Sequence, residues 1–497
     1  MYDEYYDDNY IDEPDESEPL YEQYERTSDI RLPPVINYLL LTIWLFICLI
    51  GLGIIYIGKN AAAGAVIMAV PTFIGMILKP TFALCIMMLV LPTGAGIGFH
   101  EAFSLDRGVG IALAVSFIIN LIITRPRLRI DNKALWVMMI YTIWVSLVSL
   151  TGSYLRLELV RAFTQFQLLG LIIIVYWILQ TNGEGTFRWA LRAYVIGTLG
   201  SITLAFITGA AIHAIEDAPE QRYSATLGQA TDANMLAALT AMAFLAAIYL
   251  FARDRNIFWR IIYAAAMLSL PVMLLKIGSR GALVALAFTI LSPLLFVRQV
   301  MRKPVTAVLL LGIILIVSIS AGLIIKSRGL EEGVEVRLTN LRQAEDAFDY
   351  RMTIIKQSVK SATVRPLGTT YYGWFEKTGM RHLPHSDFFL ALGLYGIPGA
   401  ILFAFFIILI MLTVKRTQLG LEKLYARAVL TFLLVMGLSI GQLYQKHFWV
   451  FLAFVMASER IGRLYYSEPD DMIEYHEYEE EPDMELEEDL VPQRQLY

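Results

Sequence analysis

The chain contains 497 residues, of which 57% are hydrophobic, and its formal net charge is −5. Its mean hydropathy is +0.57, and apolar runs of about 20 residues, each able to cross a hydrocarbon core of roughly 30 Å, exclude a soluble globular protein. The two cysteines, Cys48 and Cys85, lie within apolar runs, which excludes a disulfide framework and a Cys-x-x-Cys metal pair. These features indicate a polytopic membrane protein.

The two ends of the chain are acidic, whereas the body is basic. Residues 1–34 hold twelve Asp or Glu and two Arg, and residues 465–497 hold thirteen and one. Both tails are rich in tyrosine and poor in aliphatic residues, so they cannot bury enough apolar surface to offset the entropy of ordering. We predict disordered tails and no cleavable signal peptide. Regulation through tyrosine phosphorylation or a basic cytoplasmic partner is the alternative for the tails.

The apolar runs of the body predict an all-α polytopic integral membrane protein. The positive-inside rule places the basic connections, and with them both tails, in the cytoplasm. The second and third runs are short and contain Pro71, Pro80 and Pro92, so residues 61–97 form either two spans or one interrupted element. This alternative gives about 12–14 transmembrane helices. The predicted spans are 35–57, 61–78, 81–97, 109–124, 134–151, 163–180, 189–210, 233–251, 259–276, 281–297, 304–326, 388–414, 425–442 and 447–458.

One connection is much longer than the others. A transmembrane bundle over residues 35–326 is followed by a partly helical extracytoplasmic loop over 327–386 and by C-terminal transmembrane helices over 387–464. Connections between packed elements are usually short, and long ones are often functional. We therefore expect the active-site elements in the loop.

Two arginines on the predicted external face are candidates for binding an anion. Arg222 lies in a polar segment shortly before a span, and Arg280 lies in the Ser279-Arg280-Gly281 turn between two spans. The planar guanidinium fork suits a phosphate better than lysine does. The alternative is an arginine that snorkels to anchor a helix end. The positive-inside rule disfavours arginines on this face, so finding two of them favours a functional role.

The long loop adds a third arginine and a histidine. Arg351 opens a predicted helical stretch, and His385 precedes a helix that Ser386 or Asp387 is expected to cap. The positive end of the helix dipole disfavours imidazolium, which keeps the histidine neutral and able to accept a proton as a general base. The alternative is a histidine that hydrogen-bonds the loop backbone.

A metal site built from His382 and His385 is disfavoured. Pro384 interrupts the helical spacing between the two histidines, and no cluster of Cys, Asp or Glu accompanies them.

Taken together, the motifs follow a characteristic order. Arg222 is followed by Ser-Arg-Gly-Ala at 279–282, by Arg-Pro-Leu-Gly at 365–368, and by His385 before a helix that reads Leu-Tyr-Gly-Ile-Pro-Gly at 394–399. This order resembles the O-antigen ligase and O-antigen polymerase superfamily over roughly residues 222–414. The chain departs from the family pattern at Ala233, Thr370 and Ser386, where Pro, a second Gly and Asn are common.

The resemblance implies transfer of a glycan from a polyisoprenyl-pyrophosphate carrier to an acceptor hydroxyl or a growing polysaccharide. The reaction would take place on the outer face of the bacterial cytoplasmic membrane, in cell-surface polysaccharide biosynthesis. His385 would act as the base, Arg222 and Arg280 would bind the pyrophosphate, and Arg351 is a secondary candidate for the same group.

The implied partners are the lipid-linked glycan donor, a glycan, lipid or protein acceptor, and membrane lipids, with no nucleic acid. Fixed guanidinium groups can stabilise the leaving pyrophosphate in place of a metal, so we expect a metal-independent reaction without a cofactor. Ligation and polymerisation remain open.

A lipid-linked oligosaccharide flippase or polysaccharide transporter is the rival interpretation. The cores of the predicted spans contain no Asp or Glu, which argues against proton coupling but leaves an uncoupled flippase open. A non-catalytic scaffold whose tails recruit partners is the third interpretation.

Overall fold

The computed structural model describes residues 61–92, 98–100, 103–125, 130–207, 233–296, 341–380 and 382–466, together with scattered helical positions between 39 and 54. Over these residues the protein is all-α, apart from a short antiparallel ribbon of β1 (Gly98–His100) and β2 (Phe103–Ser104). The helices are α1 (Ala61–Leu78), α2 (Pro80–Val90), α3 (Leu105–Thr124), α4 (Lys133–Ser149), α5 (Leu155–Ile207), α6 (Ala233–Arg253), α7 (Ile257–Ile277), α8 (Arg280–Phe296), α9 (Leu341–Val364), α10 (Tyr371–Thr378), α11 (Asp387–Arg416), α12 (Leu421–Met436) and α13 (Lys446–Tyr466).

Each predicted span that the structure describes contains a helix, although the helix bounds differ from the predicted ones. Five are long and apolar enough to cross a membrane by length and composition, and four shorter apolar helices accompany them in the same part of the chain. The prediction of an all-α, multi-pass membrane protein is confirmed. The predicted span 304–326, the segment that carries Arg222 and nearly all of both tails lie outside the described residues.

Helix α5 begins earlier than its apolar run. It starts at Leu155, eight residues before the predicted span 163–180, because charged side chains such as Glu158 and Arg161 lower the hydropathy of its first turns without preventing a helix. It breaks at Gly183, where φ is 65° and ψ is −156°. Two helical segments therefore meet at Gly183, and they correspond to the predicted spans 163–180 and 189–210.

Helices α1 and α2 are separated by a single extended residue, Lys79, with φ −134° and ψ 103°. Pro80 occupies the first turn of α2, where its missing N–H costs no helical hydrogen bond. Helix α2 contains 11 residues, which extend about 17 Å at 1.5 Å per residue. It is too short to cross a hydrocarbon core by itself, which favours the interrupted-element alternative.

The most buried helices lie at the centre of the bundle and pack against several others. Helix α6 is buried along most of its length and packs against α5, α7 and α12, and α13 packs against α5, α11 and α12. Helix α11 packs along α4, and the loop helix α9 packs on α11. Large apolar side chains such as Ile122 and Ile140 remain exposed on the outer helices, as expected for surfaces that face lipid.

Polar contacts join the predicted cytoplasmic segments at one end of the bundle, which we call the basic end. Arg253 lies 2.8 Å from Glu184 and 3.5 Å from Glu422, and Arg192 pairs with Asp254. Because α5 and α11 run the length of the bundle, the segments predicted to be external meet at the opposite end, which we call the site end. The basic end comprises residues 182–192, 253–256 and 417–423, and the site end comprises 150–161, 279–281, 365–387 and 437–445.

Candidate active site

A break in α11 forms the base of the site. At Gly396 φ is 71° and ψ is −167°, and Pro398 supplies no N–H, so the helix cannot satisfy its own backbone here. The loop before α10 makes the missing bonds: Ile397 N donates to Pro366 O at 2.8 Å, and Thr370 N donates to Leu394 O at 3.0 Å. Backbone hydrogen bonds therefore join the Arg-Pro-Leu-Gly motif to the Leu-Tyr-Gly-Ile-Pro-Gly motif.

Thr370 is the N-cap of α10 and adopts φ 70° and ψ 172°. This backbone region is almost restricted to glycine, so a threonine adopts it at a conformational cost. The threonine hydroxyl compensates in part, because its oxygen accepts a hydrogen bond from Gly373 N at 3.2 Å.

The first turn of α11 is fastened to the segment between α12 and α13. Ser386 occupies the N-cap position, but its side chain makes no capping hydrogen bond. The buried Asp387 carboxylate accepts hydrogen bonds from Gln442 N at 2.5 Å and from Leu443 N at 2.9 Å. The expected side-chain cap is thus wrong, because these two N–H groups compete successfully for the carboxylate. Tyr444, which follows Gln442 and Leu443, lines the same cavity as His385.

A cavity of about 400 Å³ opens beside His385 at the site end. It is enclosed by the start of α5, the first residues of α6, helix α10, the 382–385 segment and the 440–445 segment. The lining residues are Arg161, Met235, Tyr371, Phe375, His382, Leu383, Pro384, His385, Leu390, Ile440, Gly441, Tyr444 and Gln445. The His385 and His382 rings stack with centroids 6.5 Å apart, and Tyr350 contacts His382 edge-on at 5.9 Å.

Arg161 supplies a fixed cation in this cavity. Its Cζ lies 4.1 Å from the centroid of the Tyr371 ring and 5.8 Å from that of Tyr444. Its Nη2 also donates a hydrogen bond to the Tyr371 hydroxyl at 3.2 Å. Cation–π contacts contribute roughly 0.5–2 kcal/mol each, more when desolvated. The guanidinium is therefore held in place before any ligand arrives.

The cavity phenols remain protonated at neutral pH. Burial raises the pKa of Tyr371, although the neighbouring Arg161 cation opposes the shift. Burial likewise raises the pKa of Tyr444, whose hydroxyl is hydrogen-bonded to that of Tyr395. Both rings present neutral O–H groups rather than phenolates.

Glu158 positions α10 and the aromatic wall that it carries. The buried carboxylate accepts hydrogen bonds from Tyr371 N at 3.1 Å and from Tyr372 N at 2.7 Å. A negative charge at a helix N-terminus is favourable because it faces the positive end of the helix dipole.

Glu158→Gln is expected to lower stability by about 1–3 kcal/mol, because the amide nitrogen cannot accept the second hydrogen bond. The thermal unfolding midpoint in detergent measures this effect. The matched control is Glu376→Gln, a change at an exposed position on the same helix α10. Equal midpoints for the two variants would contradict the positioning role.

The predicted site residues fall at different places. His385 lines the cavity, whereas the side chains of Arg280 and Arg351 do not appear among its lining residues in the described part of the chain. Arg351 follows Tyr350 on α9, and burial lowers the pKa of its guanidinium. Arg222 lies outside the described residues.

Arg280 begins α8 close to the cavity wall. Gly278 ends α7 in the left-handed conformation, with φ 66°. Ser279 then donates a hydrogen bond to Asn234 Oδ1 at 2.9 Å, next to the lining residue Met235. A Cβ added to Gly281 would lie 2.6 Å from Ser439 Oγ, next to the lining residue Ile440. The Ser-Arg-Gly turn is therefore wedged against two segments that form the cavity.

Arg161 lies between the predicted spans 134–151 and 163–180, and the sequence assigned it no role. The sequence also assigned none to Tyr371 or Tyr444, because single aromatic residues near span ends usually form interfacial belts. The available signal for Arg161 was the spacing Glu158-x-x-Arg161, which puts both charges on one face of a helix. Among the described residues, no group of three or more His, Cys, Asp and Glu could hold a metal ion, and metal independence stays a prediction.

The fold and the cavity define a multi-pass helical membrane protein with a polar, histidine-containing site at one end. Residues 264–404 match the family model described as O-antigen ligase. This match supports the resemblance seen in the motifs: residues 264–404 are similar to the O-antigen ligase family. The matched segment includes Arg280, Arg351, His385 and the break at Gly396. No curated protein is significantly similar to the chain.

Proposed function

We propose that the protein transfers a glycan from a polyisoprenyl-pyrophosphate carrier to an acceptor hydroxyl on the outer face of the bacterial cytoplasmic membrane, in the synthesis of a cell-surface glycan. The acceptor is a glycan, a lipid or a protein. The observation that carries this proposal is His385, which lines a polar cavity at the site end and lies within the segment matched by the O-antigen ligase family.

The proposed reaction is a single displacement at the anomeric carbon. His385 accepts the proton of the acceptor hydroxyl while the acceptor oxygen bonds to that carbon. The bond between the carbon and the pyrophosphate oxygen breaks, and polyisoprenyl pyrophosphate leaves. Arg222 and Arg280 bind the pyrophosphate and stabilise its developing charge, and Arg351 is a secondary candidate for binding the same anionic group.

The direct test uses the purified protein in liposomes with a radiolabelled lipid-linked glycan and an acceptor. The proposal expects label to move from the carrier to the acceptor, with polyisoprenyl pyrophosphate as the second product. A donor that crosses the bilayer intact, with no transfer, would replace the proposal with a flippase. Deletion of the gene, followed by analysis of surface glycans, identifies the acceptor.

Arg280→Lys is expected to reduce turnover by about tenfold or more, because lysine keeps the charge but loses the planar fork that binds two phosphate oxygens. The rate of carrier pyrophosphate release measures the effect. Lys276→Arg, in the last turn of α7, is the control for a general sensitivity to basic side chains near this turn. If Arg280→Lys turns over as fast as the wild type, the guanidinium of Arg280 does not bind the pyrophosphate through two hydrogen bonds.

A further inference from the structure

We infer that Arg161, which had no assigned role, is an anion-binding residue of the His385 cavity and takes a phosphate or carboxylate group of a substrate. The inference deepens the proposed function and rests on it for the identity of that substrate. The evidence comes from the charge of the cavity, the fixed geometry of the guanidinium and the way in which nearby carboxylates are used.

The charge balance of the cavity favours an anion. Its polar lining consists of Arg161, His382, His385, Tyr371, Tyr444 and Gln445, and within the described residues no Asp or Glu lines it. The half-buried Tyr371 and Tyr444 side chains stay neutral. A guanidinium in a recess without a carboxylate has much to gain from an anionic ligand, because interactions between charges strengthen as water is displaced.

The carboxylate nearest along the helix is already used. Glu158 lies one turn before Arg161 on α5, the spacing at which an ion pair usually forms. Its two oxygens instead accept hydrogen bonds from Tyr371 N and Tyr372 N. None of the ion pairs between described residues includes Arg161. On this helix, Glu158 therefore stabilises the fold, and the cation of Arg161 faces the cavity.

The guanidinium is also preorganised. The Tyr371 and Tyr444 rings fix its plane, and one hydrogen bond to the Tyr371 hydroxyl fixes its rotation. A guanidinium has five N–H donors, so others remain for the oxygens of a ligand. Preorganisation lowers the entropy cost of binding, which a flexible surface arginine would incur in full.

Two sources could supply the anion: the pyrophosphate of the donor, or an acidic group on the acceptor. The steady-state test varies one substrate while the other is saturating, with wild type, Arg161→Gln and Arg161→Lys. We expect KM for one substrate to rise at least tenfold in Arg161→Gln, with a smaller change in kcat and an intermediate effect in Arg161→Lys. A rise for the donor identifies the pyrophosphate, and a rise for the acceptor identifies an acidic acceptor. Unchanged KM values for both would overturn the inference.

A binding experiment separates failure of this inference from failure of the proposed function. Inorganic pyrophosphate and glucuronate are titrated separately into the full-length protein in detergent by calorimetry. The matched control is Arg156→Gln, which removes an exposed arginine from the first turn of the same helix. Binding of either probe that is at least tenfold weaker in Arg161→Gln, but not in the control, supports the anion site even if no transfer is seen. Equal binding by wild type and Arg161→Gln, or no binding by wild type, overturns it.

Discussion

Replacing His385 with Gln is expected to reduce glycan transfer by at least 100-fold while the protein remains folded in the membrane. Glutamine keeps a polar side chain of similar reach but cannot accept and then release a proton at neutral pH, and general base catalysis typically contributes about 10²–10⁴-fold. His385 is half-buried and does not belong to the hydrophobic core, so the change creates no large cavity. Label transfer from the lipid-linked donor to the acceptor measures the loss.

The same cavity supplies a matched control for this prediction. His382 stacks on His385 and also lines the cavity, but its side chain is exposed. We expect His382→Gln to lower transfer less than tenfold, because it removes an imidazole without removing the base. Equal losses in the two variants would contradict the assignment of His385 as the base. Full label transfer in His385→Gln would likewise contradict that assignment, because the acceptor proton would then be removed by another group.

The second large effect is expected at the break in α11. Gly396→Ala would place a Cβ 2.1 Å from Pro366 O and 2.6 Å from Gly368 N, at a residue with φ 71°. The backbone conformation costs about 1–3 kcal/mol for a residue other than glycine. The overlap also forces the loop away from α11, which breaks hydrogen bonds worth about 0.5–1.5 kcal/mol each. We expect poor recovery of folded protein and loss of transfer, measured by thermal unfolding in detergent and by label transfer.

Gly183 provides the control for this substitution. It breaks α5 with nearly the same backbone angles, φ 65° and ψ −156°, but a Cβ there would meet no described atom within 4 Å. Gly183→Ala should therefore carry the conformational penalty without the steric overlap. We expect its unfolding midpoint to lie clearly above that of Gly396→Ala. Similar midpoints would mean that the joint between the loop and α11 contributes little to stability.

Helix positions were predictable because a membrane imposes one requirement on every span, a run of apolar residues long enough to cross it. The position of helix α6 and the division of α5 into two spans follow from that requirement. The early start of α5 does not, since a helix can extend past the hydrocarbon core and carry charged residues there. Side-chain caps were harder to predict than helix positions. The Asp387 carboxylate accepts hydrogen bonds from a segment more than 50 residues away instead of capping its own helix.

The sequence also indicated only some residues of the candidate site. His385 could be singled out as a candidate from the sequence because its neighbours, a proline before it and a helix after it, already place it at the start of a helix. Arg161 could not, because its role depends on Tyr371 and Tyr444, which lie 210 and 283 residues further along the chain.

The sequence by itself determined the class of protein and the approximate spans and indicated a candidate base, because hydrophobic length and helix-end signals are local properties. Only the tertiary structure decided which cation shares a cavity with that base, how the two glycine-containing motifs lock together and which carboxylates are consumed by the fold. Those outcomes depend on contacts between distant segments, and the free energy of such contacts is set by three-dimensional packing rather than by neighbours in sequence.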